Sequence, residues 1–169
     1  NKLIDKKEIE KSRQLPFRFY TAYKNVSGNR ALSDAISEAM DIAVSNVPVL
    51  EGKTLIAIDG SGSMSGDPIE KAAIFGATLL KANVGADLIT YDDSVKEFTG
   101  SGRTPVVDLA DRIIQDAESG GTNTSLVFEY AQQKGIYDRI IIISDNESWQ
   151  DSSWGKGTQE SYNEYRKIA

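Results

Sequence analysis

Oxygen-bearing side chains in three short segments have the types and spacing of a metal site. Asp59, Ser61 and Ser63 form the pattern D-x-S-x-S after an apolar run. Thr122 follows two glycines, and Asp145 follows a run of four isoleucines and a serine. These side chains offer carboxylates and hydroxyls without imidazole or thiolate, which suits a hard cation. We therefore predict that they bind Mg²⁺, or another hard divalent cation such as Mn²⁺ or Ca²⁺.

The five residues are expected to differ in how they contact the cation. Asp59, Ser61 and Ser63 are the strongest candidates for direct ligands, whereas Thr122 and Asp145 would bind directly or through water. Alone, each residue has an ordinary structural explanation as a turn, strand-end or helix-capping residue. Their combination, in which two buried strands each end at such a segment, favours the metal site.

Other motifs that could indicate a nucleotide site have the wrong spacing. Gly60, Gly62 and Gly66 give G-x-G-x-x-x-G, which is not the dinucleotide-binding pattern. Residues 52–54 resemble the end of a phosphate-binding P-loop, but they precede a strand, whereas a P-loop follows one. The chain also has no histidine and no cysteine, so the easiest general bases and nucleophiles are absent. We therefore expect a binding module that is not an enzyme.

The hydrophobic pattern predicts an α/β fold in which strands alternate with helices. Strands are predicted at 54–59, 86–91, 95–98 and 139–144. Helices are predicted at about 31–46, 68–82, 105–117, 124–134 and 159–168, and residues 1–13 as a charged helix or arm. This order indicates a mainly parallel sheet flanked by helices, of the Rossmann-like type. Ligands of such sheets bind beyond the carboxyl ends of the strands, where the three segments begin.

The charges of the chain are unevenly distributed. Residues 1–30 contain eight basic and three acidic side chains, while the remaining residues contain 11 basic and 22 acidic ones, for a net charge of −6. The basic segment either faces solvent or contacts phosphate, which the acidic remainder repels. If the chain binds RNA, the affinity should come from six of the eight basic side chains of this segment, namely Lys2, Lys6, Lys7, Lys11, Arg13 and Arg18.

Composition gives an expectation for the cellular compartment. The chain contains no cysteine, which fits a reducing environment. The sequence shows neither a signal peptide nor an apolar run of membrane-spanning length. We therefore expect a cytoplasmic protein without a membrane partner.

The metal-site residues resemble those of the von Willebrand factor A and integrin I domains. When the flanking segments are included, the resemblance points to a single, more specific family. It then extends from about residue 15 to the end of the chain. LPFRFYTAY, NVP, LEGKT, GGT and SDNE, which begin at positions 15, 46, 50, 120 and 144, resemble the C-terminal part of Ro ribonucleoproteins, the TROVE-domain proteins.

The Ro resemblance implies an architecture and a function. Such proteins join a ring of helical repeats to an A domain, and they bind small noncoding Y-type RNAs and the single-stranded ends of defective RNAs. It implies that residues 1–48 are the basic, helical remnant of the ring and that 49–169 form the A domain. The expected function is a metal-binding A domain of an RNA quality-control protein. Two alternatives stay open: an adhesion-type module that captures a protein partner's acidic residue on Mg²⁺, and a metal-dependent hydrolase.

The resemblance also implies more strands than the sequence provides. It predicts six strands in the order 3-2-1-4-5-6, whereas four candidate strands are present. The isoleucine-rich strand at 139–144 should then lie at a sheet edge, although its residues are apolar on both faces. Because exposed apolar edges pair with other strands, we expect a further segment of the native chain, or a partner chain, to cover it. The A domain in 49–169 is therefore expected to lack its last strands.

Overall fold

The computed structural model describes residues 2–26, 28–147 and 156–169, which form an α/β fold. Its strands are β1 Thr54–Asp59, β2 Asp87–Tyr91, β3 Val95–Phe98 and β4 Arg139–Ile143. Its helices are α1 Lys6–Ser12, α2 Pro16–Asn25, α3 Arg30–Ala43, α4 Asp67–Ala82, α5 Val106–Asp116, α6 Ser125–Lys134 and α7 Thr158–Tyr165. Short 3₁₀ turns occupy Lys2–Ile4, Val44–Asn46 and Gly62–Met64.

The described strands form one sheet in the order β3-β2-β1-β4. β1 pairs in parallel with both β2 and β4, and β3 is antiparallel to β2. The predicted fold class is therefore confirmed, and the strand order agrees with the first part of the expected order. Because β1, β2 and β4 are parallel, their carboxyl ends meet at one edge of the sheet.

Helices cover both faces of the sheet. Every residue of β1 is buried, which explains why its sequence is almost wholly apolar. Ile56 and Ile58 pack in a core with residues from α3, α4 and α5. Leu55 and Ala57 pack on the opposite face with residues from α6 and α7. The result is a three-layer arrangement with β1 at its centre.

Helix α3 joins the N-terminal helices to the sheet. Its buried residues Ile36 and Met40 belong to the same core as Ile56 and Ile58 of β1. The Asp41 carboxylate accepts hydrogen bonds from Lys81 Nζ on α4 at 2.9 Å and from the Val106 amide of α5 at 2.9 Å. The helical segment is thus packed against the α/β layers through both apolar and charged contacts.

The segment 16–25 has more regular structure than the sequence analysis assigned to it. No separate helix is predicted there from the hydrophobic pattern, whereas the structure forms helix α2 with Pro16 in its first turn. Proline suits this position because its fixed φ matches the helix and its missing N–H has no intrahelical partner there. The stacked rings of Tyr20 and Tyr23 lie on this helix.

Strand β4 lies at an edge of the described sheet. Among the described residues it pairs only with β1, which confirms the expectation that this strand is an edge. Ile142 is 37% exposed, an unusual value for a large apolar side chain in a strand. No helix within the described part of the chain is long and apolar enough to cross a membrane.

Candidate metal centre

The predicted metal residues gather at the carboxyl edge of the sheet. Asp59 is the last residue of β1, and Asp145 follows the end of β4 by two residues. Tyr91, the last residue of β2, is the register partner of Asp59. Since paired residues of neighbouring strands point to the same face, the Tyr91 and Asp59 side chains share the face covered by α6. Ser144, directly after β4, completes this row by contacting Asp59.

Asp59 is the buried base of the site. It is fully shielded from solvent, and each carboxylate oxygen accepts one recorded hydrogen bond. The Ser61 amide donates to Oδ1 at 2.9 Å, and Ser144 Oγ donates to Oδ2 at 2.7 Å. Among the ion pairs of the described residues, none involves Asp59. Its orientation is therefore fixed, while its charge lacks a protein cation.

The two serine hydroxyls of the D-x-S-x-S segment lie close together, directly after Asp59 in the chain. Ser61 is buried, Ser63 is exposed, and their Oγ atoms are 3.1 Å apart. The chain forms a 3₁₀ turn at Gly62–Met64 directly after Ser61, and this turn brings the two hydroxyls to the same side. The sequence prediction that these residues converge is consistent with this geometry.

The segment around Thr122 is hydrogen-bonded to the Asp59 segment. The Ser119 amide donates to the Gly60 carbonyl at 3.0 Å, and the Gly62 amide donates to the Gly120 carbonyl at 3.0 Å. These reciprocal bonds place the two segments side by side. Thr122 is 4% exposed and lies just past the junction.

The β2–β3 turn fixes the backbone on both sides of Thr122. Asp93 Oδ2 accepts a hydrogen bond from the Gly121 amide at 2.8 Å, and the Asp92 carbonyl accepts one from the Asn123 amide at 3.0 Å. A Cβ on Gly121 would lie 2.6 Å from Asp93 Oδ1, so a larger residue there would require the Asp93 carboxylate to shift. No signal in the sequence indicated the support that this turn gives to Thr122.

Asp145 differs from the other predicted residues because it is exposed. Its Oδ1 accepts a hydrogen bond from the Glu147 amide at 3.1 Å. The Asn146 amide donates to Ser144 Oγ at 3.0 Å, and Asn146 adopts a left-handed conformation with φ 70°. Ser144 thus connects the tight turn after β4 to Asp59. In the sequence, only the Ser-Asp pair at the end of the strand indicated that Ser144 belongs to this site.

Tyr91 is a polar residue of the site that the sequence analysis does not identify. Its side chain is 1% exposed. Burial and then the nearby Asp59 carboxylate raise the pKa of Tyr91 to about 12, while hydrogen bonds with the Thr124 and Ser144 side chains oppose this rise. The Tyr91 hydroxyl is therefore protonated at physiological pH and faces the predicted metal residues.

The chemistry of these groups fits a hard divalent cation. The predicted set consists of carboxylate and hydroxyl oxygens, and a buried carboxylate without a counter-charge is costly unless a cation pairs with it. The described residues contain no cluster of three or more His, Cys, Asp or Glu side chains in a ligating arrangement. The predicted set contains only two carboxylates, so its remaining ligands would be hydroxyls and water, as Mg²⁺ accepts.

A groove of about 900 Å³ adjoins the site between α2, α4 and the end of β4. Ser144, Asp145 and Met64 line the end nearest the metal residues. Aromatic side chains from α2 and α4, among them Tyr20 and Phe75, line its walls. The groove therefore links the predicted metal site to the apolar surface beside the β4 edge.

Known proteins resemble this chain in both sequence and fold. It is 31% identical over 128 residues to the RNA-binding protein RO60 of Deinococcus radiodurans. The aligned region covers 69% of this chain and 24% of that relative. It is 24% identical over 168 residues to the RNA-binding protein RO60 of Caenorhabditis elegans, covering 88% of this chain and 26% of that relative. The chain thus spans about a quarter of the length of these relatives.

A solved structure shows the same fold. The crystal structure of the Deinococcus radiodurans RO (RSR) protein superposes with a TM-score of 0.77 at 21% sequence identity. The match covers 98% of this chain and 37% of that protein. No family model matches the sequence.

Proposed function

Because this chain belongs to the Ro ribonucleoprotein family, we propose that it is the metal-binding A-type module of a Ro-like RNA-binding protein. Its predicted ligands are Asp59, Ser61, Ser63, Thr122 and Asp145. In this proposal the module acts by binding a cation and is not an enzyme.

The buried charge of Asp59 is the observation that supports the metal site most strongly. The carboxylate is 0% exposed and forms none of the described ion pairs. Its two hydrogen bonds, from the Ser61 amide and Ser144 Oγ, orient it without neutralising it. An uncompensated buried charge is strongly unfavourable. A divalent cation held by this carboxylate would remove that cost.

In this proposal an anionic ligand would complete the coordination of the cation. When bound, Mg²⁺ would supply a Lewis-acidic centre that attracts oxygen atoms of an anionic ligand. The buried Asp59 would provide negative charge, and the hydroxyls of Ser61, Ser63 and Thr122 would contact the cation. Asp145 would lie at the exposed side of the site. Ser144 and the Asp93 carboxylate would keep these residues in place through the hydrogen bonds described above.

Replacement of Asp59 tests the metal site. Asp59→Ala should abolish Mg²⁺ binding in calorimetric titrations of the full chain, because it removes the buried charge. Circular dichroism should show an intact fold, since the apolar packing of β1 is unchanged. Asp34→Ala is the matched control, because Asp34 is an exposed carboxylate on α3 that pairs only loosely with Arg30 at 4.0 Å. Unchanged Mg²⁺ affinity in Asp59→Ala would refute the assignment.

The basic N-terminal helices are the proposed contact with RNA. The names of both relatives describe RNA-binding proteins. The exposed cations on or beside α1 and α2 are Lys6, Lys7, Lys11, Arg13, Arg18 and Lys24, of which Lys24 is paired with Glu70. The remainder of the chain is acidic, so it contributes repulsion toward phosphate. We propose that α1 and α2 provide the RNA affinity of this chain.

Paired charge reversals test this assignment. Lys7→Glu with Lys11→Glu should weaken binding of a single-stranded RNA oligonucleotide and reduce the salt dependence of log K by about 1.4, if each lysine contacts one phosphate. Arg166→Glu with Lys167→Glu is the matched control, because both residues are exposed and lie just after α7. Filter binding at several salt concentrations measures the RNA affinity and its salt dependence for each variant. Equal losses of RNA affinity in the two double variants would contradict a specific role for α1.

A further inference from the structure

Helix α2 lies in a stretch of the chain that has basic and aromatic side chains but no acidic ones. Between Glu10 and Asp34 the sequence contains no aspartate or glutamate, although 25 of the 169 residues are acidic. The cations and rings of this stretch are Lys11, Arg13, Arg18, Lys24, Arg30, Phe17, Phe19, Tyr20 and Tyr23. Proteins that bind single-stranded nucleic acid combine such groups, because the cations contact phosphates and the rings stack on bases.

Phe17 is the ring of this stretch that is most open to solvent. The residue is 41% exposed in the first turn of α2, and it belongs to none of the apolar clusters among the described residues. Phe19, Tyr20 and Tyr23 instead pack against the core that α3, α4 and α5 share. The Arg18 guanidinium lies 5.8 Å from the centre of the Phe17 ring. An exposed ring and a cation therefore lie side by side on α2.

The charges of its own helix distinguish Phe17 from the other exposed aromatic residues. Within the described part of the chain, Phe75 and Tyr162 are similarly exposed, at 42% and 39%. Phe75 lies on α4, whose first turn is acidic, and Tyr162 lies between two glutamates on α7. Helix α2 contains no carboxylate. A polyanion can therefore approach Phe17 without meeting negative charge on the same helix.

Carboxylates of α4 that line the groove beside Phe17 are paired with lysines. Glu70 pairs with Lys24, and Asp67 pairs with Lys71 at 3.1 Å and with Lys24 at 3.8 Å. Lys24 lies in the last turn of α2, about 10 Å further along the helix than Phe17. The negative charge of the groove is therefore offset where it meets α2.

We propose that Phe17 stacks on an unpaired base of the bound RNA and thereby shifts the preference of the chain toward single-stranded RNA. This inference rests on the proposed RNA contact of α1 and α2. Cations attract the phosphates of any nucleic acid, whether or not its bases are paired. An aromatic ring stacks on a base only where the face of that base is free, as in a single strand. The cations thus provide affinity, and Phe17 provides discrimination.

The test compares Phe17→Ala with the wild-type full chain on two single-stranded probes. One probe is a short oligouridine, and the other is an abasic oligomer with the same number of phosphates. The affinity of Phe17→Ala for oligouridine should fall about tenfold, within the range for loss of one stacked base, without a change in its salt dependence. Its affinity for the abasic oligomer should equal that of the wild type. Phe17→Trp keeps a stacking ring and should bind oligouridine normally.

Tyr162→Ala is the matched control. Its exposure is nearly that of Phe17, and the Arg166 guanidinium lies 5.8 Å from its ring centre, the same distance as in the Arg18 pair. This variant should bind oligouridine as the wild type does, because the neighbouring glutamates repel RNA. A blunt RNA duplex should bind wild type and Phe17→Ala equally, so the ratio of single-stranded to duplex affinity should fall about tenfold in Phe17→Ala.

The outcomes separate this inference from the proposed RNA contact. Equal losses of Phe17→Ala on oligouridine and on the abasic oligomer would show that the ring does not contact a base, and would overturn the inference. An unchanged affinity for oligouridine would overturn it as well, while the salt-dependent contact of the α1 lysines could still stand. Absence of RNA binding by the wild-type chain would overturn both.

Discussion

Replacement of Asp41 by alanine should destabilise the protein through loss of a single carboxylate oxygen. Asp41 Oδ1 accepts hydrogen bonds from Lys81 Nζ and from the Val106 amide, each at 2.9 Å. These bonds connect α3 to α4 and to the first residue of α5. The Lys81 and Asp41 side chains are only 13% and 28% exposed, so water screens the pair incompletely. In the variant, Lys81 keeps the Thr104 carbonyl as an acceptor at 2.7 Å.

The expected loss follows from these contacts. Hydrogen bonds that involve a charged group contribute about 1.5–3 kcal/mol each. Since both bonds share one oxygen and are partly exposed, we expect a combined contribution of about 2–3 kcal/mol. Asp41 also lies near the C-terminus of α3, where the helix dipole disfavours a carboxylate by about 0.3–1 kcal/mol. The net loss in the free energy of unfolding should be about 1.5–2.5 kcal/mol.

Urea denaturation of the full chain measures this loss, with Asp34→Ala as the comparison. Both substitutions replace aspartate by alanine within α3, so the change in helix propensity largely cancels. Asp34 pairs with Arg30 at 4.0 Å, and both side chains are largely exposed, so its loss should cost about 0.5 kcal/mol or less. A difference between the variants below about 0.5 kcal/mol would refute the reasoning and show that Asp41 does not connect α3 with α5.

Two further substitutions test other contacts. Gly121→Ala should weaken Mg²⁺ binding in calorimetry, because its Cβ would lie 2.6 Å from Asp93 Oδ1 and would displace the carboxylate that accepts the Gly121 amide hydrogen bond. Gly102→Ala meets nothing within 4 Å and should bind Mg²⁺ normally. Burial, and then Asp108 and Glu70, raise the pKa of Asp111. Its ionised form is therefore disfavoured in the folded state, so the stability it contributes is present at low pH and lost as pH rises. Asp111→Asn should stabilise the protein against urea at pH 7 but not below about pH 3, where the carboxyl is largely protonated in both states. Destabilisation at pH 7 would contradict this.

The strands and the metal segments could be predicted from local sequence. β1 is buried on both faces, so its apolar run has a direct physical cause. The D-x-S-x-S segment is compact, and its short range made the convergence of Asp59, Ser61 and Ser63 predictable. β4 was likewise predicted at the sheet edge, and its pairing among the described residues agrees.

The supporting contacts could not be predicted because they join distant parts of the chain. The Asp93 carboxylate and the Gly121 amide are 28 positions apart, and Ser144 and Asp59 are 85 apart. Each depends on how the turns after the strands approach one another. Tyr91 appeared in the sequence as an ordinary aromatic strand residue, and only its burial beside Asp59 distinguishes it. Helix α2 was missed although Pro16, Phe19, Tyr20 and Tyr23 recur at the i, i+3, i+4, i+7 spacing of a helix.

An anomalous diffraction measurement on crystals of the full chain soaked with Mn²⁺ tests the central claim most directly. Mn²⁺ accepts the same oxygen ligands as Mg²⁺ and scatters anomalously. The account predicts an anomalous peak at the carboxyl edge of the sheet, in contact with the Asp59, Ser61 and Ser63 segment and close to Thr122 and Asp145. A map with manganese only at other surface carboxylates, and none beside Asp59, would contradict it.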